Sequence, residues 1–267
     1  MAQNTSSRRR GTRTAAQAGT LPTRGEPVAT AETVAAAPGV PVRLRELRDW
    51  LLVVLALAAG GADAISWISL GKIFCAFMTG NLVYLGFHVG GATTPPMTNT
   101  LVALLAFALG AFVAGVIVKG APKDVVWPRQ VSAALVGTAL VEVALWVLWL
   151  LYGPHPSDTQ TLVMIGVLAL AMGLQTIAVF ATGVRSLFTT AATATIAVLM
   201  TDLSHASGSG REVVRFVGVI VALFSGACLA VELVFHARAW APGMPLVLTL
   251  VVLVVAATRF RRQPQPS

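Results

Sequence analysis

Charge is what this 267-residue chain has least of: Asp, Glu, Lys and Arg make up only 11% of it. An ordinary soluble domain carries roughly 25%. A soluble protein of this length could not cover its surface with so few ionic groups, and that class is excluded. Cysteine is scarcer still. Cys75 and Cys228 both lie in apolar runs, and neither belongs to a CxxC pair or a Cys/His cluster. A disulfide scaffold, a structural zinc site and an iron–sulfur module are therefore excluded, and both thiols read as small packing groups. His88, His155, His205 and His236 are dispersed without HExxH spacing, so no metal site is expected. A P-loop and a GxSxG nucleophile elbow are also missing, which argues against an ATP-driven pump and a hydrolase. The expectation is a non-enzymatic protein without a cofactor.

What the chain does have is apolar sequence. Hydrophobic residues make up 56%, and mean hydropathy is +0.77. This is the composition of a polytopic membrane protein, and it excludes disorder over most of the length. Eight apolar segments follow one another: Trp50–Leu70, Ile73–Gly90, Leu101–Val118, Val131–Tyr152, Leu162–Thr182, Leu187–Leu203, Val213–Phe235 and Met244–Thr258. A spanning helix needs about 20 residues. Segments one, four, five and seven reach that length, whereas two, six and eight are short. Trp50, Trp127, Trp149 and Trp240 fall near segment ends, where an interfacial aromatic belt would place them.

Basic residues sort by position. Eight of the 19 precede Trp50 and three more, Arg259, Arg261 and Arg262, follow the last apolar run. No aromatics interleave with the N-terminal arginines, so a nucleic-acid platform is not expected. Arginine flanking apolar spans is the positive-inside pattern. It predicts a membrane protein with both termini cytoplasmic and the lipid bilayer as its main partner. Residues 1–42 read as a disordered basic tail, 43–262 as the membrane domain and 263–267 as a C-terminal tail. Within the membrane domain, a first half covers about 43–129, with segment four extending to 152, and a second half covers about 160–262.

The halves echo each other. Gly60-Gly61-Ala62-Asp63 and Phe74-x4-Thr79-Gly80-Asn81 in the first correspond to Gly173-Leu174-Gln175 and Phe188-x4-Thr193-Ala194-Thr195 in the second. Leu109-Gly110-Ala111 corresponds to Ser225-Gly226-Ala227, and the offsets run 112, 114 and 116 residues. Two arrangements follow. Eight plain crossings would put 13 basic residues inside, whereas re-entrant segments two and six would put 17 there, leaving Lys72 and Arg238 outside. Short-loop charge favours the second. The expected fold is an all-α membrane bundle of two related halves with six to eight membrane segments. Paired interrupted segments at matching positions point to a transport site.

Asp63 leads the candidate site, because a carboxylate inside a spanning segment is costly and faces a partner or a cavity. Lys72 is a partner for it if the chain folds back. Gly80 permits close backbone approach, while Thr79 and Asn81 offer an oxygen and an amide to a polar solute or ion. Gln175, Thr193 and Thr195 are the second-half counterparts. Glu142, midway along segment four, is a candidate proton relay. A secondary transporter or channel for a small polar solute or ion is thus expected. The rival is a non-transporting scaffold or assembly partner, in which these groups only join helices.

Gly61-Ala62-Asp63-Ala64, Phe74 and Phe77-Met78-Thr79-Gly80-Asn81-Leu82 resemble the signature of the YoaK-like family of bacterial inner-membrane proteins, a domain of unknown function. The resemblance covers about Arg43 to Arg262 and implies a bacterial multi-pass membrane protein, with no substrate to carry over. In the second half the family has Gly-x-Gln-Asn followed by Thr-Gly. This chain has Thr176 after Gln175 and Ala194 after Thr193.

Overall fold

The structure, a computed structural model, describes residues 42–92, 95–122, 125–184, 196–197, 200–201 and 210–260. Among the described residues seven helices follow one another: α1 (Val42–Ser69), α2 (Met78–Val89), α3 (Met97–Ile117), α4 (Arg129–Tyr152), α5 (Asp158–Phe180), α6 (Gly210–His236) and α7 (Gly243–Arg259). A 3-10 turn, Arg238–Trp240, precedes α7, and no strand occurs among the described residues. All but α2 are long and apolar enough to cross a membrane, α7 with its preceding turn. The protein is an all-α integral membrane protein. The twelve residues of α2 span only about 18 Å at 1.5 Å per residue, too little for a hydrocarbon core of about 30 Å.

Local chemistry moves several boundaries away from the apolar windows. Leu44 and Leu47 pack against the core, so α1 starts eight residues before Trp50 despite its arginines. At α5, the Ser157 hydroxyl accepts from Gln160 N–H at 3.3 Å, and the Gln160 side chain accepts from Ser157 N–H at 2.8 Å. This capping box starts the helix four residues ahead of Leu162. Segment two differs most: only Met78–Val89 is helical, and residues 70–77 run back as non-helical backbone. Segment six lies almost wholly outside the described residues, as does the basic tail up to residue 41.

Two apolar clusters mark the two ends of the bundle. One joins the start of α1 (Leu51, Leu52), the end of α3 (Ala114), the start of α4 (Val131), the start of α6 (Phe216) and the end of α7 (Ala256, Phe260). The other joins the second half of α1 (Ile65), the start of α3 (Ala103), the end of α4 (Trp149) and the start of α5 (Met164, Ile165). The six long helices therefore alternate in direction, and the start of α1 shares an end with the finish of α7. α3 begins at the end where α1 stops; the Asn99 amide lies 2.6 Å from where a Cβ on Gly71 would sit.

The two largest interfaces are α1 on α6 and α3 on α5. Each is a parallel pair that closes on two glycines. A Cβ on Gly60 would fall 2.1 Å from the Leu223 carbonyl oxygen, and one on Gly226 would fall 2.0 Å from that of Leu57. On the other pair, Gly110 faces the Leu170 oxygen and Gly173 the Phe107 oxygen, each at 2.2 Å. In all four cases the atom met belongs to the residue three before the partner glycine. Lipid chains are as apolar as leucine, so close backbone approach replaces hydrophobic drive as the source of contact energy. Asp49, held by Arg48 at 2.9 Å, also receives Arg215 of α6 at 3.2 Å, which ties α1 to α6 at their starts.

The tryptophans divide. Trp50 and Trp240 are exposed, as a belt requires, but Trp127 and Trp149 are buried. The Trp127 indole donates to the Ser132 hydroxyl, and its ring stacks on Phe260. Trp149 donates to the Arg238 carbonyl at 2.9 Å, with the Arg238 guanidinium 4.6 Å above its ring, and so joins α4 to the turn before α7. Among the described residues nothing lies within 4 Å of a Cβ on Gly86 of α2, and one on Gly90 meets only carbonyl oxygens of α2 itself.

Candidate functional site

Asp63 sits six residues before the end of α1, and the returning chain comes back to it. Its Oδ1 accepts from Cys75 N–H and Ala76 N–H, each at 2.7 Å, and the Phe77 amide faces the same carboxylate. Successive amides around one anion form a nest, here closed by a side chain. Asn81 of α2 grips the same segment. Its amide donates to the Phe74 carbonyl at 2.6 Å, and its oxygen accepts from Phe74 N–H at 3.2 Å. These bonds replace the helical ladder that residues 74–76 lack, as buried backbone requires. The Cys75 thiol reaches the Ile165 carbonyl of α5 at 3.9 Å, attaching the segment to the second half of the chain.

Aromatic rings cover the fold-back. Trp67 stacks on Phe74 with centroids 4.9 Å apart, Phe77 meets Phe74 edge-on, and Tyr84 of α2 lies parallel to Phe74 at 6.1 Å. Gly80 is required at this point. A Cβ there would meet the Phe77 and Phe74 rings at 2.8 and 2.9 Å. Beside this cluster lies a cavity of about 430 Å³ between α1, α6 and the return segment, bounded by Asp63, Trp67, Phe74, Phe77, Leu223 and Ala227. Apart from the Asp63 carboxylate, its named walls are apolar.

The sequence candidates therefore separate. Asp63, Gly80 and Asn81 converge on residues 74–77, but Thr79 is exposed on α2 and takes no part in the clamp. Lys72 has φ near 60° and is exposed, and it makes no ion pair with Asp63 among the described residues. Gln175 is buried and donates to the Leu55 carbonyl of α1 at 3.1 Å. That is eight residues from Asp63, about 12 Å along the helix, and Gln175 does not line the cavity. Thr193 and Thr195 lie outside the described residues. Glu142 is wholly buried in α4, and its polar neighbour is Thr249 of α7, away from the cavity. Sequence reading missed Thr249. Its one signal was to be the lone polar side chain in the interior of α7.

Among the described residues, six helices long enough to span and alternating in direction, with one short helix between the first two, define the class: a multi-pass helical membrane protein. The family model for a protein of unknown function, DUF1275, matches residues 51–255, and the chain belongs to that family. The UPF0700 transmembrane protein YoaK of Bacillus subtilis (strain 168) is 35% identical over 157 residues, covering 59% of this chain and 68% of that protein. No solved structure matches.

Proposed function

We propose that this protein is a secondary transporter or channel for a small solute, with its site at the cavity beside Asp63. One observation carries the reading. Non-helical backbone at residues 70–77 is held within a bundle of spanning helices and lines a cavity of about 430 Å³. Irregular backbone at membrane depth is tolerated where it is buried in protein or borders a cavity, and broken elements of this kind form transporter sites. Segment two then acts as a re-entrant element. The apolar walls refine the solute expected from sequence. A bare ion or fully polar molecule would lose its hydration against them, so an apolar body with one donor or cationic group suits the cavity better.

The glycine crossings support two related halves. Exchanging Gly60 with Gly173 and Gly110 with Gly226 turns one interface into the other. Charge supports orientation: Lys72 and Arg238 are the two basic residues assigned to one face, against 17 on the face that carries both termini, so that second face is read as cytoplasmic.

A second reading has its own support. Asp63 Oδ1 and both polar atoms of Asn81 are engaged by backbone, as in a scaffold that uses them only to hold helices. A ligand thermal-shift screen on the wild type and Ala227→Phe separates the readings, because Phe narrows the cavity while every clamp residue keeps its identity. A ligand at 100 times its Kd stabilises by about 2.7 kcal/mol. A compound that shifts the wild type but not A227F supports transport. A broad screen without such a compound supports the scaffold.

A further inference from the structure

We propose that Glu142 and Thr249 form a proton-binding site in the interior of the bundle, at the α4–α7 interface and separate from the Asp63 cavity. Both side chains are wholly buried. Three oxygens, Oε1 and Oε2 of Glu142 and Oγ1 of Thr249, have no hydrogen-bond partner. Unsatisfied buried polar atoms are few in native structures, and three meeting across one helix interface mark a place where something binds.

Among the described residues the neighbouring helices carry their charges at their ends, and the turn before α7 sets Arg238 over Trp149 of α4, seven residues from Glu142, where it donates to the Pro154 carbonyl. α3 contains no Asp, Glu, Lys, Arg or His; α5 has only Asp158, its first residue, and α7 only Arg259, its last. On α4 itself the other titratable groups are Arg129 and Tyr152, at its two ends. Arg129 is thirteen residues away, about 20 Å along the helix axis. Among the described residues a carboxylate here has no ion-pair partner, and its polar neighbour is one hydroxyl.

The chemistry selects the occupant. Three oxygens are too few for a divalent cation, which takes six or more. A proton needs one. Protonation transfers H⁺ from hydronium to a Glu142 oxygen, forming one O–H bond and leaving water. The acid hydroxyl then donates to Thr249 Oγ1. Release reverses each step. Thr249 supplies the acceptor that makes the acid form tolerable in an apolar interior.

This site stands apart from the cavity reading, and a spectroscopic test keeps the two distinguishable. Infrared pH-difference spectra of the full chain in lipid vesicles should show a protonated carboxylic C=O band that grows as pH falls and shifts in D2O. It should vanish in Glu142→Gln, persist in Asp63→Asn and move to higher frequency in Thr249→Val, where its hydrogen bond is lost. A band untouched by E142Q, or one unchanged by pH, would overturn the site. A T249V spectrum identical to wild type would overturn the pairing. Because E142Q is nearly isosteric and T249V keeps the carboxyl, a folding failure in one leaves the other decisive.

Discussion

Asn81 illustrates how much a single amide does here. It matches both a donor and an acceptor on Phe74, a pairing no other side chain of its size reproduces except glutamine. Asn81→Asp retains the acceptor but sets a carboxylate against the Phe74 carbonyl, and Asn81→Ala leaves both backbone groups without a partner. Each orphaned group costs about 1–3 kcal/mol, so both variants should lower the unfolding midpoint in detergent sharply. Asp63 should behave differently. Asp63→Asn keeps an oxygen facing the two amides and loses only charge assistance, about 1 kcal/mol; Asp63→Ala loses the nest. Thermal unfolding should rank wild type above D63N, and D63N well above D63A. Equal D63N and D63A would refute the clamp. Asp63 was legible in the sequence as a costly intramembrane carboxylate. Its partners were not, because backbone amides carry no residue identity.

Helices are the scale at which glycine acts. At Gly60, Gly110, Gly173 and Gly226 an added methyl would strike a carbonyl oxygen of a facing helix, and backbone cannot rotate aside as a flexible side chain can. Alanine at any of the four should destabilise by about 1–3 kcal/mol or more, as overpacking does. Gly86→Ala, with open space around it, should be neutral or gain up to about 1 kcal/mol from helix propensity. Chemical unfolding of the five variants side by side checks this, and a destabilised G86A with intact G60A would reverse the assignment. Sequence alone could not tell these glycines apart: Gly86-x3-Gly90 looks like a packing motif, yet among the described residues no other helix meets it, because which face of a helix meets another helix depends on the remaining elements.

For the whole molecule, the decisive quantity is where the chain emerges. Cysteines placed at Lys72 and Ala92, both exposed, in a chain lacking Cys75 and Cys228, should react with an impermeant reagent from the same face. A cysteine at Lys119 should react from the other. Labelling of Lys72 and Ala92 from opposite faces would mean that α2 crosses and would refute the re-entrant arrangement of segment two. The alternation of the six long helices was legible as far as apolar length and loop charge carried it. Segment two shows where sequence stops: Ile73–Gly90 reads as short and interrupted, but only contacts from Asp63 of α1 and Asn81 of α2 fix the helix start at residue 78.

Composition and periodicity by themselves determined the environment and the element type. With 11% charged residues and long apolar runs, helices in a bilayer are the state that satisfies this backbone. They also singled out Asp63, Asn81 and Glu142, since polar groups within apolar spans are costly wherever they fall. Tertiary structure decided what each of them meets: Asp63 and Asn81 meet the backbone of a returning segment, Gln175 a carbonyl two turns from Asp63, and Glu142 a threonine more than 100 residues later. Those pairings depend on how the helices stack, which is a property of every interface together and of no single segment.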